Sequence, residues 1–248
     1  MVLSVVYLGR VAYQDGLAVQ DRLVERRRAG EIGDVLVMLE HPPVLTLGRH
    51  SHVKGGGREH LLLSDEALAA RGVEVVETNR GGDITYHGPG QLVGYPVFDL
   101  RGPVRETVRA GAKWLGPVDF VRLMEEALIR TMADYGVATG RVPGRTGVWT
   151  LPHGTVAEKK VAAIGIHVTG GITSHGFALN VTTDLRDFQW IVPCGIADRG
   201  VTSVELESAS ASLGLEQAAE RVARQFGRVF HAQVLWVESL EAVGPVPS

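Results

Sequence analysis

The sequence predicts an α+β protein. Apolar segments of strand length recur along the chain, helical periodicity is confined to a few separated stretches, and strict strand–helix–strand alternation is missing. At 248 residues, 45% hydrophobic and 21% charged, the chain has globular composition and enough apolar material for a sizeable core. Glycine is abundant at 31 residues, but with 11 prolines it stays near ~17% of the chain, below the level that signals disorder. Residues 1–237 are expected to form a single catalytic domain and residues 238–248 a loose C-terminal tail.

Residues 4–13 read as a strand and 15–30 as a helix ending at a glycine, with Arg26, Arg27 and Arg28 suited to its C-terminus. Residues 34–39 (DVLVML) are short and β-branched-rich, as a buried strand should be. Pro42, Pro43 and three consecutive glycines mark 40–57 as a long loop. A short helix over 64–71 and a strand over 73–78 follow. Residues 92–100 form a further strand, where Pro96 argues for an edge or a bulge. Glycine and proline punctuate 101–117, an exposed insertion.

The clearest helix runs from 119 to 135: Asp119 caps it, Phe120, Met124, Leu128 and Met132 recur every four residues, and Gly136 stops it. Residues 160–168 and 172–181, separated by Thr169, Gly170 and Gly171, predict an antiparallel hairpin. A second helix over 215–230 and a strand over 233–237 complete the chain.

Several function classes are disfavoured. A formal charge of −3 carries no basic surplus for nucleic acid. One cysteine, Cys194, excludes an internal disulfide and CxxC metal sites. The N-terminus lacks the features of a secretory signal, and no apolar run approaches the ~18 residues of a membrane helix. A cytoplasmic protein that binds no membrane is expected. Phosphate-loop, dinucleotide, hydrolase-elbow and HExxH motifs are absent. His50 and His52, with His41 and His60 nearby, read as solvated histidines, and no metal is expected.

Two glycine-bracketed segments stand out. In RGGDITYHGPGQLVGYP, two glycines after Arg80 let backbone approach a ligand closely, and Thr85 and His87 supply polar handles. A turn-rich connection between strands is the plainer alternative. In WIVPCG, Cys194 lies between Pro193 and Gly195 at the end of an apolar run, where a thiol can be held beside backbone N–H groups; a packed cysteine is the alternative. An ordinary thiol near pKa 8.5 is ~3% ionised at pH 7, whereas one near 6 is ~90% ionised. Lys160 opens an otherwise apolar strand and would supply the necessary cation; a solvated lysine beside Lys159 is its alternative.

Taken in order, EHPPVLTLGR, RGGDITYHGPGQLVGYP, KVAAIGIHV, HGFALNVTTDL and IVPCGI-(x)4-VTSV closely resemble the octanoyltransferases of protein lipoylation, from about Tyr7 to Phe230. The resemblance implies a biotin/lipoate protein ligase-like fold, a mainly antiparallel mixed sheet flanked by helices. It implies transfer of octanoyl from the phosphopantetheine thioester of acyl carrier protein to a lysine of apo lipoyl domains, those of 2-oxoacid dehydrogenases and of the glycine cleavage H protein. It makes Cys194 the acyl-accepting nucleophile and Lys160 the partner that lowers its pKa. Substrate binding falls to Arg80, Gly81, Gly82, Asp83, Ile84, Thr85, Tyr86 and His87, with Ala163, Ile164 and Gly165 and with Gly176, Phe177 and Ala178. No cofactor is implied, because the acyl group arrives on the carrier's arm, and a monomer is expected. Residues 101–117 look longer than the family pattern, and Ser174 stands where an aromatic residue or histidine is common.

Specificity for a medium chain is expected from a closed apolar tunnel built from Ile84, Ile164 and Phe177, and carrier docking from Arg141 and Arg145. Two other readings stay open at this point. An ATP-dependent lipoate or biotin ligase of the same fold would activate free acid and need no Cys194. A lipid-binding domain would only pack that cysteine.

Overall fold

The computed structural model describes residues 1–52, 60–102, 113–152, 157–192, 200–209 and 214–244. The chain opens with β1 (Val2–Arg10) and α1 (Tyr13–Arg28), then β2 (Asp34–Glu40), β3 (Val44–Leu47), α2 (Asp65–Ala69), β4 (Glu74–Glu77), β5 (Thr85–His87) and β6 (Gln91–Val97). After α3 (Pro117–Ala133) come β7 (Thr139–Val142), β8 (Arg145–Thr150), β9 (Lys160–Thr169) and β10 (Ile172–Asn180), followed by α4 (Val204–Glu207), α5 (Leu215–Val229) and β11 (Gln233–Trp236).

Eight strands form one sheet in the order β11-β1-β2-β6-β10-β9-β8-β7. Only β11–β1 and β1–β2 are parallel, and α1 is the crossover that lets β1 and β2 run the same way. The remaining pairings are antiparallel. The structure is therefore α+β with a mainly antiparallel mixed sheet and flanking helices. A small second sheet, β4-β3-β5, holds the segment that leads into the site.

α3 and α5 bury their periodic apolar residues in one core, where Phe98, Phe120 and Phe230 meet at tilted angles and Phe226 stacks on Phe230. A second core gathers Leu23, Val35, Val37, Val93 and Val97. A third lies beneath the small sheet and includes Leu45, Leu47, Ile84, Tyr86 and Phe188.

The predicted hairpin is present as β9–β10, with Gly170 and Gly171 both at positive φ (58° and 85°), the backbone of a tight primed turn. Several expectations need correction. Residues 40–57 are not one long loop: Val44–Leu47 is a fully buried strand that starts directly after the proline pair, a position strands tolerate. Asp119 is not the cap of α3; Gly116 holds that position, Pro117 begins the helix, and Asp119 sits in its first turn.

β6 is central rather than an edge strand. Its ladder to β10 ends at Gly94, and the Pro96 carbonyl accepts from the Thr173 hydroxyl at 2.6 Å, so the missing N–H falls beyond the pairing with β10, while Pro96 stays in register with Leu36 of β2. The tail is not loose as far as Gly244: Val243 is buried, and Arg26 donates to the Leu240 and Val243 carbonyls. The hairpin β7–β8 and strand β5 were not anticipated. Most of the 101–117 insertion lies outside the described residues; its exit is tied back by Leu115 N–H donating to the Leu100 carbonyl at 2.7 Å.

Candidate active site

A cavity of about 410 Å³ lies where β5, β6, β8, β9, β10 and the 80–83 loop converge. That is within the usual range for small-molecule sites. It collects Lys160 and twelve of the expected binding residues: Arg80, Gly81, Gly82, Asp83, Thr85 and His87 from the first motif, and Ala163, Ile164, Gly165, Gly176, Phe177 and Ala178 from the hairpin. Ile84 and Tyr86 do not line it. In a strand successive side chains point to opposite faces, so with Thr85 and His87 facing the cavity, Ile84 and Tyr86 enter the core under the small sheet. The tunnel expectation fails for Ile84, while Ile164 and Phe177 do line the cavity. Cys194, with Pro193 and Gly195, lies outside the described residues.

Glycine makes the convergence possible. A Cβ on Gly165 would stand 2.4 Å from the Gly81 carbonyl, and one on Gly176 only 2.1 Å from the Gly94 carbonyl. The 80–82 loop can therefore lie directly on β9, where Gly81 N–H donates to the Ile166 carbonyl at 2.9 Å. The glycines of the first motif thus admit a neighbouring strand; the sequence reading assigned that closeness to a ligand. Arg80 is buried and donates to the Thr46 hydroxyl and carbonyl, which clamps the loop to β3.

Lys160 starts β9 and is held on both sides. Its N–H donates to the Gly200 carbonyl at 3.0 Å, and its own carbonyl accepts from Thr202. Its Nζ lies 4.7 Å from the centre of the Trp149 ring, a cation–π contact. Gly147, at φ 125°, packs beside it: a Cβ there would stand 3.5 Å from Lys160 Cε and only 2.6 Å from the Ala162 carbonyl oxygen.

Sequence reasoning missed part of the wall: Tyr13, Val93, Tyr95, Val121, Thr146 and His175. The first three lie on α1 and β6, and only the fold brings them to the hairpin. His41, expected in solvent, is fully buried behind this wall. Its Nδ1–H donates to the Val11 carbonyl at 2.7 Å, leaving Nε2 to accept from the Tyr95 hydroxyl at 2.6 Å.

A similar argument fixes His87. Gln91 donates its amide N–H groups to the Tyr86 carbonyl and to Asn180, so its oxygen accepts from His87 Nδ1–H at 2.7 Å. Burial pushes these imidazoles down, His41 to about 4 and His87 to about 3, the latter helped by His41 and Arg80. His175 is likewise held at about 3, mainly by burial and then by Arg80. Burial raises Tyr13 to about 12. These imidazoles and the Tyr13 phenol are therefore neutral at neutral pH, and the cavity is also lined by the charged side chains of Arg80, Asp83, Arg145 and Lys160. Among the described residues no group of histidines, cysteines and carboxylates is placed to hold a metal ion. No described helix is long and apolar enough to cross a membrane.

The mixed sheet and its flanking helices are those of the lipoate protein ligase fold. One chain from a structural analysis of a bipartite lipoate protein ligase and its E2 lipoyl domain from Thermoplasma acidophilum aligns with a TM-score of 0.71 at 17% identity, over 96% of this chain and 87% of that one. Lipoate-protein ligase A bound with ATP aligns at 0.68 and 15% identity, over 96% and 89%. The profile of the lipoyl protein ligase A/B catalytic domain matches residues 12–227, and the chain belongs to that family.

It is an acyltransferase. The octanoyltransferase of Acidobacterium capsulatum is 62% identical over 96% of this chain and 94% of its own. That of Koribacter versatilis is 48% identical over 99% and 91%.

Proposed function

We propose that this enzyme moves an octanoyl group from the phosphopantetheine thioester of acyl carrier protein to a lysine of an apo lipoyl domain, through a thioester on Cys194. The observation that carries the reading is the setting of Lys160. Its ammonium stands on the Trp149 ring in the lining of a largely apolar cavity. The residues on either side of 193–199 are held: Val192 N–H donates to the His60 carbonyl at 2.9 Å, and the Gly200 carbonyl accepts from Lys160 N–H.

The chemistry balances without an energy source. The Cys194 thiolate attacks the thioester carbonyl, the carbon–sulfur bond to pantetheine breaks, and Lys160 gives its proton to the departing thiolate. The neutral lysine of the lipoyl domain then attacks the acyl-cysteine. Cys194 leaves as thiolate, an amide forms, and neutral Lys160 takes the proton released, ready for another cycle. Amide formation from a thioester is downhill, so no nucleotide and no cofactor are required. Arg141 is not a free docking cation, because it pairs with Glu125 and Glu126, each at 3.0 Å.

Intact mass after incubation with octanoyl-acyl carrier protein tests the reading. The expected result is an octanoyl increment on the wild-type chain, absent in Cys194→Ala, and discharged onto an apo lipoyl domain when one is added. Product formed only from free octanoate and ATP, with no adduct, would establish a ligase instead.

A further inference from the structure

Two grooves adjoin the cavity, and their charges are opposite. One shares His175 with it and is lined by Asp21, Glu77 and Asn79. The other, about 360 Å³, shares Val121, Thr146 and Ile166 with the cavity, continues over Val118 and Val168, and has no carboxylate in its lining. Arg49 borders both grooves.

Its side chain is exposed, and its guanidinium makes no ion pair or hydrogen bond among the described residues. Neighbouring arginines are engaged: Arg122 pairs with buried Glu125 at 2.6 Å, and Arg80 is bound to Thr46. His167, also in the second groove, bonds Thr169 through Nε2 and leaves a buried Nδ1 without a partner. Apolar side chains, one unused imidazole nitrogen and the Arg49 guanidinium on its border form an amphipathic track. It matches an arm with methyl groups and amides along its length and a phosphate at its end. The other groove, with Asp21 and Glu77, would repel that phosphate.

We infer that Arg49 marks a phosphate subsite and that the groove between it and the cavity holds the phosphopantetheine arm of the donor. The inference rests on the octanoyl-transfer reading above. Planar guanidinium suits phosphate, and lysine would replace it only as a point charge.

The test compares two small donors, octanoyl-4′-phosphopantetheine and octanoylpantetheine, with an apo lipoyl domain as acceptor. Wild type should prefer the phosphorylated donor by about fivefold in kcat/KM, the range of an exposed charge pair. In Arg49→Ala the ratio should fall to near one, whereas Arg49→Lys should retain part of it. Because the readout is a ratio within each variant, loss of folded protein does not mimic the result. A wild-type ratio near one, or a ratio unchanged in Arg49→Ala, overturns the subsite alone. No transfer from any thioester by wild type overturns the octanoyl-transfer reading and the subsite with it.

Discussion

Around the cavity stand imidazoles whose neutrality comes from burial, and this couples the site to stability. An unfolded histidine titrates near 6.5, while His41 titrates at about 4 and His87 and His175 at about 3 in the folded chain. Below pH 6.5 the unfolded state therefore binds more protons, and stability falls as pH drops until the folded values are reached. From pH 7.5 to 5.5 each such histidine lowers stability by about 1.4 kcal/mol. Urea denaturation at the two pH values should show His41→Gln losing about 1.4 kcal/mol less than wild type; equal losses would refute the assignment. These residues also mark how far the motifs could be read. His87 was legible because its motif is local in sequence. The burial of His41 was not, since it depends on Tyr95 and Val11, 54 and 30 residues away.

Between elements, one carboxylate ties α3 to the β7–β8 hairpin. Glu125 is fully buried and accepts from Arg122, from Arg141 and from Gly147 N–H at 3.1 Å. Gly147 is the residue packed beside Lys160, so this clamp sets the strand against the catalytic lysine of the proposed mechanism. Glu125→Ala would leave the Gly147 N–H without its acceptor and free Arg122, while Arg141 keeps Glu126, at a cost of about 2 kcal/mol. Glu125→Gln keeps an acceptor for Gly147 and should lose less. Hydrogen exchange should quicken in residues 139–150 of the alanine variant, and unchanged protection there would show the clamp to be redundant. Sequence periodicity placed α3 well but could not reveal this use of Glu125, which falls between Met124 and Leu128 on the buried side. The hairpin itself was missed because β7 is short, polar and half-exposed, and lacks the apolar alternation that made β9 and β10 plain.

Across the whole molecule, the β9–β10 hairpin that lines the cavity lies within the sheet, and β11 and the residues after it close the β1 edge. β11 pairs beside β1, and the residues after it fold over α1 and β2, with Gly33 N–H donating to the Gly244 carbonyl at 3.2 Å. A polar, proline-containing end reads as a tail because its two apolar anchors, Leu240 and Val243, have no period to announce them. Their burial follows from Arg26, whose place in the last turn of α1 suits the helix dipole and whose guanidinium also holds the two carbonyls. Val243 is 1% exposed, whereas Leu235 on the edge strand is 49% exposed. Removing two buried methyl groups in Val243→Ala should cost about 2 kcal/mol and lower Tm by about 6 °C. Leu235→Ala, by contrast, should stay within about 0.5 kcal/mol. Thermal denaturation of both variants decides the matter: equal, small shifts would mean that the end of the chain does not close the core.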